Sequence, residues 1–367
     1  GCAYRTCETA MNDVSDDISA LMPPGELTGP SVWYGRDYQG SDDWVHHLSG
    51  AEIAEVESAI AHANAMGREI MELSPETFQI PRLGERLAKI RTEILEGCGF
   101  AVMRGLPVEG YDLRTAAMAF FGIGSHIGTP RSQNRDGHLL GHVCDLSHNP
   151  AENPHQRGYR AAGPLGFHTD SADIAALLTW RKSKSGGDGK IASSVTVYNE
   201  MWRRAPALLR ALFGPVNRDR RGEVPEGMKP WWTMPIFQWH AGYLNSHFNH
   251  GYILSSDRFD ELEPMSDILT EAFEVLMDIC EEVHLKVDYQ PGDIGLVNNH
   301  QILHGRADYE DWPKVERRRY LLRLWLSPKD GRPLPAAYAQ RYGNVVPGQR
   351  GGIICPETKL KAPLEPV

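Results

Sequence analysis

From about residue 125 onward the chain is a succession of short apolar or alternating runs, at 173–180, 192–198, 252–255, 284–288, 293–297 and 318–326. Most are bounded by Gly, Pro, Asp or Asn, and runs of this length with these boundaries predict strands. The 36 Gly and 25 Pro punctuate the sequence every few residues instead of gathering in linkers, which suits many short strands and turns. Helical spacing dominates earlier. Ser49-Gly50-Ala51-Glu52 has the capping-box spacing, followed by Ile53, Val56, Ile60 and Ala63 at helical intervals. A second helix is predicted over 83–97, with Leu87, Ile90 and Ile94 on one face, and a third over 112–122. Helical insertions are expected at 206–213 and 266–283, and a polar loop at 218–235. Helices first and then many short strands predict a mainly β fold with flanking helices, an antiparallel sandwich or jelly roll. The first strand, Phe100 to Met103, is not followed by Gly-x-Gly-x-x-Gly, so a dinucleotide-binding sheet lacks its signature.

With 41% hydrophobic and 23% charged residues, the 367-residue chain can bury a real core. Residues 1–45 are polar and turn-rich and predict an N-terminal arm, leaving 46–367 as a single domain. The net charge is -10, and the basic clusters Arg220-Arg221 and Arg317-Arg318-Arg319 are short, so no nucleic-acid partner is expected. Cys2, Cys7, Cys98, Cys144, Cys280 and Cys355 lack metal-type spacing. Cys2 and Cys7 are close enough to bridge in an oxidising compartment, but reduced thiols are expected. No apolar stretch of about 18 residues and no apolar signal core stand out, so the expectation is a cytoplasmic protein with no membrane partner. A homo-oligomer is left open.

The segment that carries chemistry is Gly166-Phe167-His168-Thr169-Asp170. A His and a carboxylate two residues apart on a strand project to the same side, where they can share one metal ion. His304, in Ile302-Leu303-His304-Gly305-Arg306, is the best third ligand. Two imidazoles and one carboxylate suit iron(II) with open positions, although imidazole also suits zinc. Downstream, Arg319 and Arg323 share one face of a predicted strand, while Tyr320, Leu322 and Leu324 fill the other. A buried cationic pair needs an anion, and the planar guanidinium fork matches a carboxylate.

These segments together resemble the taurine/2-oxoglutarate dioxygenase (TauD/TfdA-like, clavaminate-synthase-like) family, from about Gly99 to Ser327. The matching pieces are Gly99-Phe100-Ala101-Val102 with Arg104-Gly105-Leu106-Pro107, Phe167 to Asp170, and Ser185-Gly186-Gly187-Asp188. Pro291-Gly292-Asp293 with Asn298-Asn299, His304-Gly305-Arg306, and Arg319 to Leu326 follow in order. The resemblance implies a double-stranded β-helix and an oxygenase that uses iron(II), 2-oxoglutarate and O2. His168, Asp170 and His304 would be the iron ligands and Arg319 the clamp on the distal carboxylate of 2-oxoglutarate. Arg323 would support that clamp or reach the substrate, and Arg318 is the competitor for these roles. Many relatives place a Thr shortly after the Gly-Gly acidic turn to bond the co-substrate, where this chain has Gly189. Ser193, Ser194 or Thr196 on the following strand are expected to supply that hydroxyl. By the same analogy the substrate is a small polar molecule (a carboxylate, a sulfonate or an amino acid), with hydroxylation as the default and desaturation or cyclisation as variants. A zinc-dependent hydrolase or lyase on the same barrel and a non-catalytic 2-oxoglutarate-binding module are the alternatives. A Ser-His-Asp hydrolase lacks its Gly-x-Ser-x-Gly elbow.

Other features carry weaker expectations. His247 and His250 read as solvated imidazoles, and His46-His47 as surface. His300, four before His304 in a segment that reads as extended, is a candidate to support the metal site. Residues 129–160, with Gln133 and Asn134, are expected at the pocket wall or lid, and 341–352 are placed to close over the pocket. Phe237, Trp239 and Tyr243 are either an apolar wall or core.

Overall fold

Three long helices precede most of the strands, and two of them begin at a side chain that accepts from a first-turn amide. At Gly50–Ala65 the Ser49 hydroxyl accepts from the Glu52 amide, and the Glu52 carboxylate accepts from the Ser49 amide at 2.8 Å. At Pro81–Glu96 a proline occupies the first turn, where no amide is missed. At Leu113–Ser125 the Asp112 carboxylate accepts from the Thr115 amide at 2.7 Å. Leu83, Leu87, Ile90 and Ile94 form the buried stripe of the second helix. A computed structural model of the chain describes Ile18, residues 20–145 and residues 164–366.

Two sheets build the body. The larger runs Val45–His47, Phe100–Arg104, Ile294–Asn298, Ile174–Arg181, Tyr320–Ser327, Thr129–Arg131, and Gly141–Cys144 also pairs with Tyr320–Ser327. Only its first pair is parallel. The smaller sheet is antiparallel and runs Leu285–Val287, Gly189–Ser193, Ile302–Arg306, Leu165–His168. This is the jelly-roll double-stranded β-helix that the strand pattern predicts.

Period-two alternation sorts the residues into layers. On the larger sheet, Met103, Ala176, Leu178, Leu296, Leu322 and Leu324 face outward into the three helices. Phe100, Val102, Ala175, Val297 and Trp325 face inward and meet Ile191, Leu285, Val287 and Ile302 of the smaller sheet. The outer face of the smaller sheet, at Phe167, Ala192 and Leu303, is covered by Ser194–Arg204, Pro206–Ala211 and Asp267–Val283. The space between the sheets is therefore where inward polar residues gather.

Two predicted strands are helices. The run at 192–198 ends as a strand at Ser193, whose hydroxyl accepts from the Thr196 amide at 3.1 Å and starts the helix Ser194–Arg204. The run at 252–255 belongs to the helix His250–Leu254, begun by the Asn249 side chain. In both, a capping side chain and a buried face outweigh β-branched propensity. The expected loop at 218–235 contains the paired strands Asn217–Asp219 and Trp231–Thr233.

The end of the predicted arm is packed. The Trp33 ring is buried and its backbone amide donates to Thr196 Oγ1 at 3.0 Å, while Leu27 and Asn199 exchange two hydrogen bonds at 2.8 Å. Cys98, Cys144, Cys280 and Cys355 are free thiols, whereas Cys2 and Cys7 lie outside the described residues. No described helix is long and apolar enough to cross a membrane.

Candidate active site

His168 ends one strand of the smaller sheet and His304 lies directly opposite it on the neighbouring strand. Close pairing there depends on Gly305, because a Cβ at that position would stand 2.7 Å from the Leu165 carbonyl oxygen. The two imidazole centroids are 4.4 Å apart. Asp170, two residues beyond His168, brings Oδ1 to 4.0 Å from His168 Nε2 and Oδ2 to 3.7 Å from His304 Nε2. One ligand atom from each residue falls within 4.8 Å of the others. His168 Nδ1 lies 3.0 Å from the Gly166 carbonyl; a carbonyl can only accept, so this nitrogen carries the proton and Nε2 keeps its lone pair. The Asp170 amide donates to Asn299 Oδ1 at 2.9 Å, which holds the loop that carries the carboxylate.

The electrostatics favour the ligating forms. Burial and then the His304 ring push the His168 imidazole down to about 4, against the opposing pull of Asp170. Burial alone would raise Asp170, but the Arg323 guanidinium and the two imidazoles hold it well below the usual carboxylate range. A neutral imidazole and a carboxylate are what a divalent first-row metal binds. The donor set fits iron(II).

Two cavities meet at His168 and Asp170, and His304 lines only the smaller of them. The larger, of about 360 Å³, and the smaller, of about 80 Å³, are both lined by Leu165, His168, Asp170 and Arg323. Arg319 lines the smaller one, and not the larger, together with Arg306, Tyr289 and Gly187. Burial and then Arg306 push the Arg319 guanidinium down to about 10. Its Nη1 is buried and meets no hydrogen-bond partner among the described residues. Arg323 stands at the junction, with Nη1 3.8 Å from Asp170 Oδ1 and Nε donating to Gln133 Oε1 at 2.8 Å.

Sequence comparison decides which chemistry this arrangement serves. The model of the taurine catabolism dioxygenase TauD, TfdA family matches residues 63–325. The chain belongs to this family. It is a non-haem iron(II)/2-oxoglutarate-dependent dioxygenase. It is 29% identical over 335 residues to FR-33289 synthase of Streptomyces rubellomurinus, covering 89% of this chain and 97% of that protein. To the taurine hydroxylase-like protein SAT17 of Stachybotrys chartarum it is 32% identical over 314 residues, with 83% and 80% covered. Among solved structures, an asparagine oxygenase complex superposes with a TM-score of 0.61 at 17% identity, covering 77% of this chain and 93% of that one. The non-haem iron oxygenase OrfP gives 0.57 at 15%, covering 77% and 93%. At such identities these structures share the fold.

Within this dioxygenase the predicted metal ligands converge, and Arg319 and Arg323 share the inward face of their strand. Ser194 and Thr196 do not join them. Both are on the helix Ser194–Arg204, and neither lines either cavity. Thr196 Oγ1 donates to the Trp33 carbonyl at 2.8 Å and accepts the Trp33 amide, so its hydroxyl is committed elsewhere. Extrapolating the strand past Ser193 is what misplaced them. His247, expected in solvent, is buried against Trp232, Tyr338 and Tyr342 and lines the larger cavity. His300 is buried too, with Nε2 2.7 Å from Asp173 instead of facing the metal ligands, because 299–301 is a turn and not extended. Phe237 belongs to the core under the smaller sheet, and Phe237, Trp239 and Tyr243 line neither cavity.

The segment 341–352 does reach the site. Arg341 lines the larger cavity and its Nε donates to Ser171 Oγ at 2.8 Å. Arg350 is fully buried and pairs with Asp173 at 2.7 Å, while the Gly352 amide donates to the Ser171 carbonyl. The segment thus straps the stretch just after Asp170. Of the expected wall at 129–160, Gln133 holds Arg323, and residues 146–160 lie outside the described residues. Tyr289 has a site position that the sequence reading did not assign, while Asn299 and Arg341 fall in segments it quoted without giving either residue a contact. An Asn pair a few residues before His304 was the available signal for Asn299 and the Gly-rich segment for Arg341, while no local pattern marks Tyr289.

Proposed function

We propose that this dioxygenase oxidises a C–H bond of a small polar substrate bearing an oxyanion group, with hydroxylation as the outcome. His168, Asp170 and His304 would hold the iron, and Arg319 would take the distal carboxylate of 2-oxoglutarate in the smaller cavity. With O2, the bound iron and co-substrate supply an oxidant for the C–H bond while succinate and CO2 are released. The protein's own part is orientation and exclusion of water. Asn299 fixes the carboxylate ligand, and Arg323 stands at the junction of the two cavities, offsetting the charge of Asp170.

The observation that carries this reading is the pair of cavities that share His168 and Asp170, with His304 and the partnerless Arg319 Nη1 in the smaller. The larger cavity supports the substrate class. Arg221, Arg323 and Arg341 line it against Asp170 as the single carboxylate among its described lining residues. Behind the Trp232 wall, Arg218 is buried on the carbonyls of Val216, Pro235 and His247, adding further positive charge. Related folds lend support: the asparagine oxygenase complex contains Fe(II), 3-hydroxyasparagine and succinate, and an OrfP complex contains Fe, succinate and (3S)-hydroxy-L-Arg.

The test is an anaerobic titration of iron(II) and 2-oxoglutarate into metal-free protein, following the visible band of the chelate. A saturable band that vanishes in His168→Ala is expected. A screen of small carboxylates, sulfonates and phosphonates for substrate-coupled succinate release then names the substrate. Retention of zinc with no band would sink the reading and favour a zinc hydrolase.

A further inference from the structure

The position where many relatives carry a co-substrate-binding Thr is Gly189 in this chain, and the space beside it is filled by Tyr289, from the loop that follows the strand Leu285–Val287. A Cβ at Gly189 would come within 2.5 Å of Tyr289 Cε2. On the opposite edge of the same ring, a Cβ at Gly295 would come within 2.7 Å of Cε1 and 2.8 Å of the hydroxyl oxygen. Gly189 belongs to the smaller sheet and Gly295 to the larger. The phenol is therefore seated between the two sheets in a notch that exists only because both positions lack a side chain. Any larger residue at either would displace the ring.

Tyr289 lines the smaller cavity with Arg319, and the two also share the shallow pocket beside it with Gly187. Arg319 Nη1 is buried without a partner among the described residues, and the Tyr289 ring lines the same cavity. A buried cationic donor left without a partner on this cavity requires an acceptor, since an unsatisfied buried polar group is costly, and a phenol lining the same cavity is placed to share that acceptor. Burial and then Asp293 push the phenol up, so it stays protonated and remains a donor.

We propose that the Tyr289 hydroxyl donates to the distal carboxylate of 2-oxoglutarate beside Arg319, in place of the hydroxyl that Gly189 does not provide. The inference rests on the co-substrate reading given above. Tyr289 then anchors the co-substrate, and Gly189 and Gly295 are kept small to seat it.

The test compares wild type with Tyr289→Phe, which keeps the ring and removes the donor. Each is loaded with iron(II) without oxygen and titrated with 2-oxoglutarate and, separately, with pyruvate, which lacks the distal carboxylate. The apparent Kd for 2-oxoglutarate is expected to rise about tenfold in Tyr289→Phe, the scale of one hydrogen bond to a charged group. Iron affinity and pyruvate binding should not change. Unchanged 2-oxoglutarate affinity would overturn the proposal, and so would an equal loss for both ligands, which would make the ring a packing element only. A wild type with no chelate band would instead sink the co-substrate reading itself, so the two failures are distinguishable.

Discussion

His168 and His304 are partners in one antiparallel register pair, with ring centroids 4.4 Å apart, although they are distant in the chain. Strand register alone brings them together, so the pair is as rigid as the sheet that carries it. His304→Ala is expected to abolish the chelate band. Activity should fall by more than the 10- to 100-fold typical of losing a supporting contact, while the apoprotein keeps its circular dichroism spectrum. Metal analysis of the purified variant is the check.

Asn299 provides such a supporting contact through its bond to the Asp170 amide. Asn299→Ala should weaken iron(II) binding by about 10- to 100-fold and, by leaving the buried Asp170 amide without its acceptor, lower the stability of the metal-free protein by about 1–3 kcal/mol. Iron(II) titration against a competing chelator measures the first and a denaturant melt the second.

Arg319 and Arg341 line different cavities, and their variants should separate in kinetics. Arg319→Ala is expected to raise the requirement for 2-oxoglutarate by about 100-fold, the scale of a two-point pairing with a carboxylate. Arg341→Met should raise KM for the substrate and leave the 2-oxoglutarate requirement alone. If both variants shift the same parameter, the division of the two cavities is wrong.

Arg350 and Asp173 form a buried pair, with Ser327 and His300 also bonded to the carboxylate. Deleting the cation with Arg350→Met leaves a charge underground and should cost about 3–5 kcal/mol. Urea unfolding of the metal-free protein reads this directly, and a loss under about 1 kcal/mol would show the pair to be dispensable.

Burial, then Arg218 and Arg341, hold the His247 imidazole well below its usual value. The folded protein leaves it neutral, whereas the unfolded chain takes up a proton below about pH 6.5. The unfolded state then binds more protons, so this contribution is complete above that pH and is lost as the pH falls further. His247→Phe should flatten the decline. Denaturation midpoints of the metal-free protein across that interval, wild type against variant, test the sign.

Residue spacing alone pointed to His168 with Asp170, and to Arg319 with Arg323, because each pair lies on or next to a strand where period two fixes which side chains share a face. Segment boundaries were less legible. Ser194 and Thr196 looked like strand residues until Ser193 was seen to cap a helix. His247 looked solvated because nothing in its neighbours announces that Trp232, Tyr338 and Tyr342 close around it.

Local order therefore determined much of this protein: helices before strands, the alternation that sorts core from site, and the candidate donors His168, Asp170 and His304 that the fold brings together. What only the tertiary structure decided is what faces what between the sheets. Arg319 falls in one cavity and Arg341 in the other, Tyr289 fills the notch between Gly189 and Gly295, and Arg350 reaches Asp173. These relations join residues far apart in sequence. Side-chain alternation is a property of one strand, but the partner across a cavity depends on how two sheets stack and twist, which no single segment encodes.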